Sequence, residues 1–276
     1  MIIDSHVHVL PPRMREHRDV IAASDPWFAM CHEGRRRVAD ARDVMAAMDD
    51  AAIDRALCFT WPFRDPALRA EANDYLAGAV RDFPDRLIGY AAIDPSSPDA
   101  VGELHRCAGL GLRGVGEVNC DAYDFELDDI AIDAAVNVSI ELGLPWTLHC
   151  SEPLGHVYAG KGSTTPDKVA RFAMRHPELR LICAHLGGGL PFYAHMPEVA
   201  ELCKRLWFDT AAGPFLYAPS AYRSVVDLIG AQRLLFGSDF PLLDARRYRE
   251  AFASAGLDKT ELQLVMGGAA ESVFGL

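Results

Sequence analysis

The sequence predicts a single (β/α)8 barrel, and three observations carry that prediction. Eight short apolar runs recur along the chain with helical patterns between them. The runs are apolar almost throughout rather than alternating, as strands of a parallel sheet covered on both faces must be. The first strand-to-helix turn reads Asp4-Ser5-His6-Val7-His8. It lacks the glycine-rich phosphate turn of an open doubly wound sheet, which leaves the closed barrel as the better α/β architecture. The 276 residues suit one such domain, 1–276, because barrels of roughly 250 residues are common.

The predicted strands cover residues 2–4, 56–60, 87–93, 112–117, 145–149, 181–184, 206–210 and 233–237. After the first comes a long connection, approximately residues 11–42, read as an insertion or lid because long barrel loops are usually functional. It holds Trp27, Phe28, Met30 and the run Arg35-Arg36-Arg37. The arginines are read as a solvated helix face, with an anion-reading or dimer-contact element as the alternative. Val44, Met45, Met48 and Ala52 mark one helical face, and Leu76, Ala79, Val80 and Phe83 mark the next. Asp128 is the expected cap of a helix running to Leu142 and stopping at Gly143. Val169, Phe172, Ala173 and His176 form a further face, with Thr165 as cap, Pro166 at the first position and Pro177 as the stop.

Half of the residues are apolar, enough for a large core, and the net charge is -12. An acidic surface opposes binding to nucleic acid or to anionic membranes. No run approaches the roughly 18–20 apolar residues of a membrane span, and the opening residues lack the basic-then-apolar pattern of a secretory signal. The seven cysteines include no CxxC pair and are read as reduced, mostly buried thiols, so a cytoplasmic location is expected. Cys58, Cys107, Cys183 and Cys203 sit in apolar runs, whereas Cys150 follows His149 and is a candidate neighbour of the site.

Polar residues interrupt the apolar runs at their carboxyl ends, where barrel active sites lie. His6 and His8 are two apart, a spacing that puts both imidazoles on one face of a strand. His149 ends the fifth run, His185 the sixth, and Asp239 follows the eighth. Burying such groups together is costly unless they are paired or hold a metal. Histidines with an aspartate make a mixed nitrogen and oxygen set suited to zinc or another first-row divalent ion.

The motifs Asp4-Ser5-His6-Val7-His8, Leu148-His149, Ala184-His185-Leu186-Gly187-Gly188 and Gly237-Ser238-Asp239-Phe240-Pro241 span nearly the whole chain in this order. Together they resemble the amidohydrolase superfamily, in particular the amidohydrolase-2 group that includes aminocarboxymuconate-semialdehyde decarboxylase. The resemblance implies His6, His8, His149 and Asp239 as ligands of one divalent metal, zinc first and manganese as the alternative. It implies catalytic roles for Asp239, as a proton carrier, and for His185 beside the reacting group. Two departures stand out. The fourth strand has no lysine at its end to bridge two metals, which argues for one ion, although Glu117 stands where it could ligate a second. Near the C-terminus, Gly268-Ala269-Ala270 replaces the group's frequent Asn-Ala.

The expected activity is that of a metal-dependent hydrolase directing metal-activated water at an amide, lactone or ester carbonyl of a small molecule. The alternative is a metal-dependent, non-oxidative decarboxylase or hydratase of an unsaturated or aromatic carboxylic acid. A non-catalytic barrel scaffold fits less well, since the ligand set is intact. Trp61, Arg64 and Lys161 are the leading substrate contacts, the two cations suiting a substrate carboxylate. Glu152, His156, Tyr158, Tyr193 and Tyr217 are further candidates. Gly187-Gly188-Gly189 follows the sixth strand and is read as tight packing at a helix start. A homodimer is the assembly considered.

Overall fold

The computed structural model describes residues 1–32 and 37–276, and in it eight parallel strands close into a barrel. They are β1 (Ile3–His8), β2 (Arg55–Phe59), β3 (Leu87–Tyr90), β4 (Val115–Val118), β5 (Trp146–Leu148), β6 (Leu181–Cys183), β7 (Leu206–Asp209) and β8 (Leu234–Leu235). Two seams are narrow: the bridge Ala91–Val115 joins β3 to β4, and Val7–Phe240 joins the end of β8 to β1. Backbone bonds hold both. Ala91 N donates to Gly114 O at 2.8 Å, while Ser5 N donates to Phe236 O at 2.7 Å and Asp239 N to His6 O at 2.9 Å. All eight predicted strands are present, and β1 runs on through His8, so both histidines belong to the strand itself.

The unbroken apolar character of the runs follows from burial on two faces. Leu57, Phe59, Ile88, Tyr90, Ile182 and Leu235 point into the barrel, where they meet Ala269, Ala270, Val273 and Phe274 of the terminal helix Ala269–Phe274. Their neighbours Ala56, Cys58, Leu87, Leu181, Cys183 and Leu234 face the surrounding helices. Gly114 is required by this packing, because a Cβ there would lie 2.4 Å from the Tyr90 ring.

Helices Ala41–Ala51, Pro66–Asp82 and Pro166–Arg175 bury the expected faces. Thr165 holds the expected cap position, extended and followed by Pro166 at the first helical position, although its hydroxyl bonds Asp167 rather than the helix backbone. Two terminus predictions need correcting. Ala52 lies past its helix in a left-handed conformation and is exposed. Asp129, not Asp128, caps the next element: its side chain accepts from Ala131 N at 2.8 Å at the start of a short 3-10 turn, Ile130–Ile132, and the helix Asp133–Glu141 follows. At Asp129 a neighbouring carboxylate takes the backbone donor that Asp128 was expected to bind, which local sequence does not rank.

The insertion carries three short helices, Pro12–Glu16, Arg18–Ser24 and Pro26–Cys31. They have a small core of their own, in which Leu10, Met14, Ile21, Phe28 and Val38 pack with Phe63 and Ala72. Asp25 ties it to the loop after β2, accepting from Phe28 N at 2.8 Å and from Arg64 N at 3.2 Å. Of the arginine run, Arg35 and Arg36 lie outside the described residues. Arg37 stacks over the Phe240 ring at 5.0 Å and pairs with Asp43 at 3.6 Å. Among the described residues no helix is long and apolar enough to cross a membrane.

Candidate active site

Strand ends bring the polar residues together. His6 and His8 leave β1 with their Nε2 atoms 3.3 Å apart. Asp239 follows β8, and its left-handed backbone (φ 65°) turns Oδ1 to 3.4 Å from His8 Nε2 and 3.8 Å from His6 Nε2. His185 and Leu186, after β6, are also left-handed (φ 57° and 53°) and lead into Gly187, Gly188 and Gly189, all at positive φ. Non-glycine residues adopt this conformation at a cost and keep it where surrounding structure enforces it. The glycine run makes a tight turn here: a Cβ on Gly188 would come 2.4 Å from Ser151 O.

Glu117, on β4, is the hub. Its Oε1 lies 2.8 Å from His149 Nδ1, 3.2 Å from His185 Nε2 and 3.8 Å from His6 Nε2, while Oε2 lies 3.8 Å from His8 Nε2. His149 Nε2 meets Gly160 O at 2.9 Å. The predicted metal and catalytic residues therefore converge, including Glu117. Burial disfavours charge on His6, His185, Glu117 and Asp239, yet opposite charges outweigh it. The carboxylates of Asp209 and Glu117 lift the buried His6 imidazole to about 9, and bonding to Glu117 lifts His185 to about 10. Despite its burial, Glu117 is held well below the usual carboxylate range by His149 and His6, and Asp239 is held at about 2 by His8, His6 and His185.

This donor set fits a divalent cation. Nitrogen and oxygen donors about 2.1 Å from a tetrahedral ion lie roughly 3.4 Å from one another. The His6–His8 and His8–Asp239 separations match that spacing. Within the described residues two triads could each hold an ion, His6 with His8 and Asp239, and His6 with Glu117 and His185.

Above this floor opens a cavity of about 540 Å³, walled by Trp27, Trp61, Tyr158, Phe215 and Leu216, with His8, Glu117, His149, His185 and Asp239 at its base. Trp61 stands beside His8, ring centres 5.9 Å apart. The other two expected substrate contacts do not line this cavity. Arg64 directs Nε to Ala122 O at 2.7 Å and Nη2 to Asp121 O at 3.3 Å, and Lys161 Nζ donates to Leu154 O at 2.7 Å and His156 O at 3.2 Å. His156 and Tyr158 line it, whereas Glu152, Tyr193 and Tyr217 border a second cavity of about 350 Å³. Cys150 is fully buried, its thiol on Leu148 O at 3.2 Å, and is not among the lining residues.

Sequence reasoning missed Asp209, fully buried at the end of β7, with Oδ2 2.8 Å from His6 Nδ1. The signal was there, a carboxylate ending an apolar run, as Asp239 does. It also missed Asp4, whose Oδ1 accepts from His6 N at 3.2 Å and Ser238 N at 2.8 Å and so links the strand ends that carry His6 and Asp239. Burial raises the Asp4 carboxyl to about 6 against those bonds.

A closed barrel with imidazoles and carboxylates gathered at the carboxyl ends of its strands defines a metal-site barrel enzyme. The amidohydrolase family model matches residues 3–276, and the chain belongs to that family. Among curated proteins it is similar to gamma-resorcylate decarboxylase of Polaromonas sp. (strain JS666), 24% identical over 250 residues, covering 74% of this chain and 75% of that protein. The Rhodococcus jostii (strain RHA1) protein of the same name is 26% identical over 239 residues, covering 69% and 71%. Among solved structures, 5-carboxyvanillate decarboxylase LigW from Sphingomonas paucimobilis superposes with a TM-score of 0.79 at 18% identity, covering 100% of this chain and 99% of that one. Dihydroxybenzoic acid decarboxylase from Polaromonas sp. JS666, with bound manganese and 2-nitroresorcinol, gives 0.77 at 20% identity, covering 100% and 97%.

These relatives correct the expected activity. They are named as decarboxylases, so the hydrolase reading is overturned in favour of its alternative. Zinc is likewise unsupported as the ion, since the Polaromonas structure holds manganese. The physical reason is that one metal floor serves either chemistry, and the walls above it decide which substrate arrives.

Proposed function

We propose that this chain is a manganese-dependent decarboxylase that removes CO2, without an oxidant, from a small hydroxylated aromatic carboxylic acid. The observation that carries the reading is the apolar, aromatic-walled cavity standing directly on the histidine and carboxylate floor. The decarboxylase names of the relatives support it. His6, His8, His149 and Asp239 would hold the ion; His6, His8 and Asp239 already stand together, while His149 meets Glu117 and Gly160 O beside them. A divalent cation held there would supply positive charge opposite a substrate carboxylate.

Trp61 and Phe215 would flank the aromatic ring and exclude water. An apolar wall favours departing neutral CO2 over the charged carboxylate. The carbon–carbon bond to the carboxyl breaks, its electron pair passes to the ring carbon, and a proton takes the place of CO2. His185 and Asp239 are the groups placed to handle that proton. Bonding to Glu117 favours the protonated form of His185, whose Nδ1 lies on Ala211 O at 3.0 Å and whose Nε2 is directed toward Glu117. Asp239 is ionised, and a substrate carboxylate brought beside it would raise its affinity for a proton. The test is to incubate the manganese-loaded protein with 2,6-dihydroxybenzoate and other hydroxybenzoates and to measure CO2 and the arene. Equal amounts of the two are expected, and no CO2 from any aromatic acid would overturn the reading.

A further inference from the structure

We infer that Asp209 is a positioning residue that sets the tautomer of His6 and aims His185, joining the metal floor to the proton carrier through one carboxylate. Its two oxygens are divided between them. Oδ2 takes the Nδ1–H of His6 at 2.8 Å, and Oδ1 takes the backbone N–H groups of His185 at 2.9 Å and Ala211 at 3.0 Å. The carboxylate is fully buried on β7, whereas its partners come from β1 and the turn after β6. An ionised carboxylate only accepts, so the proton of a neutral His6 belongs on Nδ1. Nε2 is then left with its lone pair, facing His8 and Asp239. The second arm acts through Ala211. With its N–H fixed by Asp209, its carbonyl receives His185 Nδ1 at 3.0 Å and leaves His185 Nε2 on the cavity side. A single side chain thus specifies which nitrogen of each histidine reaches the site. Carboxylates placed behind ligating histidines act this way in general.

The inference rests on His6 as a cation ligand and is independent of which bond the enzyme breaks. The test is Asp209→Asn, which keeps the shape of the side chain. Its amide oxygen can still accept from His185 N and Ala211 N, but its NH2 then faces His6 Nδ1. That forces the His6 proton onto Nε2, where it blocks the metal. Manganese affinity, measured by competition with a chelator on protein whose fold is checked by near-ultraviolet circular dichroism, should fall about 10- to 100-fold. A purely structural role would lower stability and leave that affinity unmoved. A second measurement needs no variant: nitrogen-15 NMR of the wild-type chain loaded with diamagnetic zinc should show His6 metal-bound at Nε2 and protonated at Nδ1. A folded Asp209→Asn protein with unchanged manganese affinity, or His6 bound through Nδ1, would overturn the inference alone. A wild-type chain that takes up neither ion would remove the metal reading and the inference with it.

Discussion

The floor and the rim of the barrel mouth were built by different rules. On the floor, His6, His8, Glu117, Asp209 and Asp239 stand on strands or directly after them, and backbone pairing sets where each side chain starts. His6 could hardly point elsewhere, with its carbonyl bonded to Asp239 N and its ring to Asp209. On the rim, Arg64 and Lys161 were both expected at a substrate carboxylate, yet both turn their charge onto nearby backbone carbonyls. A strand end inherits the geometry of the whole barrel. A long cation on a loop goes to whichever unsatisfied carbonyl lies within reach, since buried or half-buried carbonyls need donors.

Substitutions on the two regions should separate this contrast. The largest effect is expected at the floor. His6→Ala should lose bound metal, measured by plasma mass spectrometry, and more than about 100-fold in turnover, beyond what loss of a group behind the ligands costs. Retained metal and turnover would mean the floor is not the site at all. Glu117→Gln tests the hub. One ion per chain should remain, with turnover reduced about 10- to 100-fold; a drop from two ions to one would instead identify Glu117 as the ligand of a second metal. At the rim, Trp61→Ala should raise KM about tenfold, corresponding to about 1.4 kcal/mol of lost ring packing, with kcat nearly unchanged. Arg64→Ala and Lys161→Ala should be the mildest. Their KM should stay within about twofold of wild type, while urea unfolding shows a loss of about 1 kcal/mol for Arg64→Ala from its hydrogen bonds. A large KM increase for either would show that rim cations reach substrate after all, and the contrast would fail.

Much of the floor was legible beforehand because its signal is local. An apolar run that ends in a histidine or carboxylate announces a strand end facing the barrel mouth, and five such positions agreed with one another. Asp209 carried the same mark and was passed over, for lack of any partner in sequence to give it meaning. The walls were only partly legible. Trp61 was singled out, but Trp27 and Phe215 join it only because the insertion and the turn after β7 fold over the same cavity.

By itself, then, the amino-acid order determined the eight strands, their burial on both faces and which histidines and aspartate end them at the barrel mouth, because periodicity and strand-end polarity are properties of neighbouring residues. Which groups lie within hydrogen-bonding reach across the barrel was decided only by the tertiary structure. His6 and Asp209 are 203 positions apart and His185 and Glu117 are 68 apart. The carboxylates of Asp209 and Glu117 raise the proton affinity of His6 and His185 because closure of the sheet removes these groups together from water, and no local pattern in the chain encodes that distance.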